Sequence, residues 1–100
     1  MKNVVVLFDA PGFTSEQFDK VWEDLKAAGQ EHPKGLISHV GFANPNGNWN
    51  VVDVWDSAES FAEFGKTLKP IFEKNEVKSP EPLVLPAHFV YQPLPENVHA

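Results

Sequence analysis

Two periods of apolar residues alternate along the chain. Residues 3–9, Asn-Val-Val-Val-Leu-Phe-Asp, form a β-branched apolar run that stops at Pro11-Gly12, the pattern of a strand entering a turn. Thr14 and Gln17 then stand at capping-box spacing, and Phe18, Val21, Trp22 and Leu25 follow at i, i+3, i+4, i+7. The spacing predicts an amphipathic helix over about residues 15–28, with Glu16–Lys20 and Lys20–Asp24 as i,i+4 charge pairs and Gly29 as its left-handed terminator.

Residues 35–44 and 48–56 read as strands flanking Asn44-Pro45-Asn46-Gly47, whose residue preferences are those of a type I turn with Gly in the left-handed position of a three-residue hairpin loop. Facing Asn44 with Asn48 and counting back sets Gly41 opposite Val51, His39 opposite Asp53 and Ile37 opposite Trp55. A second helix follows, capped by Asp56 or Ser57 and carrying Phe61, Phe64, Gly65 and Leu68 on one stripe. Pro70 predicts a kink near Lys69 or a fresh short helix starting at Pro70. Residues 75–82 read as a linker, Leu83 to Tyr91 as a last strand on a sheet edge because of Pro86, and residues 93–100 as a proline-containing tail to a single domain over residues 1–92.

The resulting order, β-α-β-β-α-β, is the ferredoxin-like α+β plan: a four-stranded antiparallel sheet in the order 4-1-3-2 with both helices on one face. Both sheet faces are apolar, since Val52 and Val54 alternate with Trp49, Val51 and Trp55, and the helices can cover one side alone. A twofold copy covering the other side predicts a homodimer with a cavity between the sheets. Size points the same way, because a chain of 100 residues buries too little of its own surface for more than marginal stability.

Composition excludes several function classes. With 14 acidic residues against eight basic ones, all Lys, the formal charge is −6 and no guanidinium is present, which disfavours nucleic acid as a partner. The absence of cysteine removes thiolate catalysis, disulfides and Cys-ligated metal sites, and fits the cytoplasm. The apolar run Val4 to Phe8 is too short for a signal-peptide core or a membrane span.

Pro11-Gly12-Phe13-Thr14-Ser15-Glu16-Gln17-Phe18-Asp19, Gly35-Leu36-Ile37-Ser38-His39-Val40 and Trp49-Asn50-Val51-Val52-Asp53-Val54-Trp55 together resemble the dimeric α+β barrel superfamily, and within it the small antibiotic-biosynthesis-monooxygenase type. The resemblance covers roughly residues 3–91 and implies the same fold and a homodimer. It suggests cofactor-independent oxygenation or isomerisation of an activated carbanion, although the superfamily also holds haem-degrading enzymes and members without an assigned role. Oxygenases of this type are associated with a polar pocket that often includes Arg, which this chain lacks. Haem is disfavoured because residues 57–76 contain no His to match the ligand of the haem-degrading relatives, so no cofactor is expected.

The candidate site is His39, Asp53, Trp55 and His88, with Tyr91 as an addition. In the hairpin register His39 and Asp53 are cross-strand neighbours, expected on the face away from the helices, where the carboxylate would orient the imidazole as a general base or acid. Trp55 would wall the cavity and stack on a small, planar, apolar or aromatic ligand. His88 and Tyr91 fall on opposite faces of the last strand by alternation, with His88 favoured inside. A metal site from His39, Asp53 and His88 lacks short-range ligand spacing, so no metal is assigned. The bland alternative is a satisfied buried His39–Asp53 contact that sets register in a non-catalytic ligand-binding or accessory homodimer. Trp22 is placed in the core and Trp49 as a candidate for the dimer seam. His32 and His99 are expected in solvent.

Overall fold

A computed structural model describes residues 3–78 and 81–91; the expected tail, with His99 and the domain boundary at 92, lies outside them. Four strands and two helices follow the expected order: β1 (Val4–Pro11), α1 (Ser15–Ala27), β2 (Leu36–Ala43), β3 (Asn48–Trp55), α2 (Ala58–Lys74) and β4 (Leu83–Pro86). The sheet is antiparallel in the order β2-β3-β1-β4, which is 4-1-3-2 read from the other edge. It is an α+β ferredoxin-like arrangement. No helix among the described residues is long and apolar enough to cross a membrane.

Local chemistry starts and stops the elements as the sequence suggests. Thr14 accepts from the Gln17 backbone N–H at 3.1 Å, and the Gln17 side chain accepts from the Thr14 N–H at 2.9 Å, which completes the capping box of α1. Gly29 at φ +81 donates to the Lys26 carbonyl just past the helix end. Of the two candidate caps for α2, Ser57 is used, accepting from the Ser60 N–H at 3.1 Å.

Pro70 neither ends nor restarts α2, which runs as one element through it. The ring is exposed, so the Lys66 carbonyl that loses its donor is on the side where water replaces it. The hairpin turn closes as predicted, with Asn44 N–H donating to Asn48 O at 2.8 Å and Gly47 N–H to Asn44 O at 2.9 Å.

The β2–β3 register also matches the count from the turn through His39 opposite Asp53 and on to Ser38 opposite Val54. Beyond it a bulge at Ile37 sets Leu36, not Ile37, opposite Trp55. The last strand is shorter than expected. Pro86 lies opposite Val4, the first residue of β1, and Ala87 N–H already reaches Asn3 O at 3.0 Å, so β1 offers nothing for residues 88–91 to pair with.

Both helices pack on one sheet face. Val21 and Leu25 of α1 meet Ile71 of α2, with Phe13, Trp22, Phe64, Leu68 and Phe72 around them. Under this layer lie Val6 and Trp55, both fully buried. Alternation turns Val5, Leu7, Val40, Phe42, Val52, Val54, Leu83 and Leu85 to the other face. There Val40 is 55% exposed and Leu83 54%.

The helices are tied to each other at Asp24. Its carboxylate accepts from Lys20 Nζ at 2.7 Å and from Asn75 Nδ2 at 2.8 Å, with Lys74 Nζ 3.5 Å away. The Lys20 hydrogen bond first, then that of Asn75 and the charges of Lys20 and Lys74, lower its pKa from 3.8 to about 2. A folded-state pKa below the unfolded value means stabilisation that is present above the unfolded value and lost as pH falls through the folded one. Asp24→Asn should therefore lower the melting temperature at pH 7, and the gap to wild type should close as pH falls from about 4 to about 2. Thermal melts across that range measure it; a gap independent of pH would show that the carboxylate charge is not what ties the helices.

Candidate functional site

The inner sheet face is unlike the outer one because β3 sends Trp49, Val51, Asp53 and Trp55 toward the helices. His39 joins them from β2, opposite Asp53. The expectation that His39 and Asp53 face away from the helices is therefore corrected. They line a cavity between the sheet and the two helices of one chain, not a space between two sheets. Because both sets of alternating residues are apolar on β1 and β3, strand alternation separates the two faces without saying which one the helices take.

Four side chains form one hydrogen-bonded chain across this cavity. Trp22 Nε1–H, from α1, donates to His39 Nε2 at 3.2 Å. His39 Nδ1 lies 2.5 Å from Asp53 Oδ1, and Trp55 Nε1–H donates to Asp53 Oδ2 at 3.2 Å. A donor on Nε2 requires a lone pair there, so this arrangement is that of a neutral imidazole carrying its proton on Nδ1 and donating it to the carboxylate. Asp53 is only 3% exposed, yet both its oxygens are engaged.

Aromatic rings complete the enclosure. Phe18 stacks on the His39 ring with centroids 5.5 Å apart and planes 5° from parallel, and its other neighbour is Trp49 at 5.1 Å. Trp22 meets His39 edge to face at 4.9 Å, while Trp55 packs on Phe61 and Phe64 at 5.7 and 5.3 Å. Gly41 makes the Phe18 position accessible, since a Cβ there would lie 2.9 Å from the Phe18 ring and 3.2 Å from Trp49. The cavity left among these rings measures about 60 Å³.

The candidates therefore separate. His39, Asp53 and Trp55 come together, with Trp55 lining the cavity as a fully buried residue whose indole N–H donates to Asp53. His88 and Tyr91 are not part of the cavity: His88 is exposed and Tyr91 76% exposed, both past the end of β4. His32 is exposed, as expected. No three His, Cys, Asp or Glu side chains among the described residues are grouped to hold a metal ion.

Phe18, Trp22 and Trp49 were not among the sequence-level site candidates. For Trp22 and Phe18 the signal was present in the helical stripe that faces the sheet, but a stripe of aromatics at core spacing does not distinguish packing from a hydrogen bond to a strand residue. Trp49 belongs to this cavity and not to the outer face, where a dimer seam would lie.

No known family model matches the sequence, and no curated protein matches it. Solved structures do match in fold. A mutant form of SnoaB, a cofactor-independent oxygenase from Streptomyces nogalater, superposes with a TM-score of 0.65 at 17% identity, covering 96% of this chain and 100% of that one. A monooxygenase from the gene ActVA-Orf6 of Streptomyces coelicolor, in complex with Nanaomycin D, has a TM-score of 0.56 at 18% identity, with 92% and 91% covered. A dimeric ferredoxin-like protein from an uncultured marine organism has a TM-score of 0.62 at 13% identity, with 94% and 95% covered. The chain thus has the ferredoxin-like fold of antibiotic-biosynthesis-monooxygenase-like proteins, and at these identities the likeness speaks for the fold.

The network makes two measurable predictions. In ¹⁵N spectra the neutral His39 ring should show its proton on Nδ1, the tautomer that Trp22 and Asp53 jointly select; an Nε2-protonated ring would contradict the hydrogen bond from Trp22. Asp53→Ala should lower stability by about 2–5 kcal/mol in chemical denaturation, because it leaves the His39 and Trp55 donors unpaired in an apolar layer. A loss under about 0.5 kcal/mol, the level of an ordinary surface substitution, would show that the network carries no stability.

Proposed function

We propose that the chain forms a homodimer in which each protomer binds a small planar aromatic molecule between its sheet and helices, with His39 and Asp53 handling a proton. The observation that carries this reading is the hydrogen-bonded chain Trp22–His39–Asp53–Trp55 laid across an otherwise apolar cavity. An apolar enclosure with a few convergent polar groups is the usual make-up of a small-molecule site. The fold shared with a cofactor-independent oxygenase supports the chemistry without establishing it.

In the proposed reaction the ligand displaces Trp22 from His39 Nε2, and that nitrogen takes a proton from an activated C–H group. Asp53, already bound to Nδ1–H, then faces an imidazolium, and this charge-assisted contact stabilises it. The carbanion gives one electron to molecular oxygen, the radical pair combines to a peroxide anion, and the His39 imidazolium returns its proton to give the hydroperoxide and the neutral base. Loss of water from the hydroperoxide leaves a ketone, so one O₂ is consumed and one oxygen atom enters the product. The residues supply the base, its orientation and a dry enclosure; the electrons come from the substrate.

The free cavity, about 60 Å³, holds one or two waters, whereas a benzene-sized guest needs on the order of 150 Å³. Binding therefore requires ring movement: Trp22 must leave Nε2, and the Phe18 ring, packed against both His39 and Trp49, is the neighbouring group that can move with it. The same small volume, with Nε2 already occupied by Trp22, favours a second reading in which the network is purely architectural and the homodimer has an accessory role.

The outer sheet face supports dimerisation in both readings. Val40, Phe42, Leu83 and Leu85 are exposed there beside half-buried Val5, Leu7, Val52 and Val54, an apolar patch that a monomer would leave in water. Sedimentation should give twice the chain mass of 11.2 kDa, and Val54→Glu should shift it to one; a wild-type monomer at micromolar concentration would refute the assembly. The cytoplasm is the compartment this reading carries, from the cysteine-free composition.

Anthrone, a planar ketone with an activated C–H group, tests the chemistry. Wild type should raise its melting temperature on adding anthrone and accelerate oxygen uptake, with anthraquinone and water as products. His39→Ala should retain the thermal shift and lose at least tenfold in rate. Binding without oxygen uptake above the spontaneous rate would leave a binding protein, and absence of both would leave the accessory reading.

A further inference from the structure

The three indoles of the inner layer are not equivalent. Trp22 and Trp55 both use their Nε1–H groups in the network around His39 and Asp53. Trp49 Nε1 is buried and has no acceptor among the described residues, and it is the one fully buried side-chain polar atom there in that condition. Its surroundings explain why. Its cross-strand neighbours are Ala10 on β1 and Ala43 on β2, Gly41 lies diagonally across, and Phe18 covers its ring. None of these side chains carries an acceptor. The small neighbours make room for the indole while leaving its donor unmatched.

We propose that Trp49 is a specificity-determining residue of the cavity: its Nε1–H is the donor for the carbonyl oxygen of a neutral planar ligand. This rests on the reading that the cavity takes a ligand, and it adds which end of the ligand is polar. A buried donor without an acceptor has lost its water partner and gained nothing in return, so a guest bringing an acceptor recovers that loss and an apolar guest does not. The charge of the acceptor follows from the lining. Among the described residues the cavity is lined by no Lys, while the Asp53 carboxylate lies on the same face. A carboxylate or phosphate would thus be buried with no cation and near a like charge, whereas a neutral ketone asks only for a donor.

The placement also orients the guest. On one strand face Trp49 and Asp53 are four residues apart, roughly 13 Å along β3. Phe18 lies between the Trp49 and His39 rings. A flat guest that replaces the Phe18 ring would have its carbonyl at Trp49 and its far edge at His39. The ligand is thereby read at two ends by two kinds of group, a fixed donor and a proton-accepting nitrogen.

The test uses two molecules that share a ring skeleton and differ in one oxygen, 1-tetralone and tetralin, titrated into the full chain. Wild type should bind 1-tetralone about tenfold more tightly than tetralin, and Trp49→Phe should bring the two affinities within twofold of each other. Equal affinities in wild type, or a preference that survives in Trp49→Phe, would overturn the role of Trp49 while leaving the binding reading intact. Failure of both compounds to bind wild type would overturn the binding reading and this inference with it. A second measurement needs no variant that must fold. Of the indole N–H signals in the ¹⁵N–¹H spectrum of wild type, the one with contacts to Phe18 should move downfield with 1-tetralone and stay with tetralin; an unmoved signal at saturation overturns the proposal.

Discussion

The Asp53 carboxylate is the constraint around which the inner layer is organised. It is buried to 3% exposure on a central strand, where an unpartnered charge would be severely unfavourable. Its position is tolerable because two elements bring donors to it: β2, through His39, and β3 itself, through Trp55 two residues further on. Trp22 then joins α1 to the same group through the far side of the imidazole. A one-residue slip of β2 would send His39 to the outer face and leave Asp53 with one partner, so the polar pair enforces a register that apolar packing alone would leave loosely specified. The bulge at Ile37 shows the limit of this control, since pairing is regular from Ser38 to the turn and shifts on the other side.

The two faces of the sheet then divide the work. The inner face collects large flat side chains, where Trp55 is fully buried and Phe18, Trp22 and Trp49 surround the imidazole. The outer face collects valines, leucines and one phenylalanine, with Asn50 bonded to Asn44 and to the Phe8 carbonyl at the hairpin end, and no helix covers it. The helices cover the first face, so the space among its rings is a cavity, while the second face is left as an exposed apolar patch. A single chain of this length has helices for one of the two.

Much of this was legible along the chain. The capping box at Thr14, the turn at Asn44–Gly47 and the proline in the last strand are local signals whose chemistry acts over a few residues, and each one operates as the sequence indicates. Pairing His39 with Asp53 followed from the loop length, because a three-residue turn determines every pair along a regular ladder. The departures from these local signals have causes that are not local. Of the two outcomes that Pro70 allows, a fresh helix starting at Pro70 does not occur, because its exposed position lets water take the freed carbonyl and α2 continues. His88 and Tyr91 were assigned to a strand whose partner, β1, begins at Val4, opposite Pro86.

By itself, then, the amino-acid order determined the elements, their antiparallel pairing, the sheet order and the His39–Asp53 contact, since all of these depend on periodicity, turn chemistry and loop length. Only the tertiary structure decided which sheet face the helices cover. That choice put the pair inside one chain, brought Phe18 and Trp22 onto His39, and left the Trp49 N–H without an acceptor. The physical reason is that both faces are apolar: alternation sorts residues into two sets, and when burial favours both, only the packing of the helices against one of them tells the sets apart.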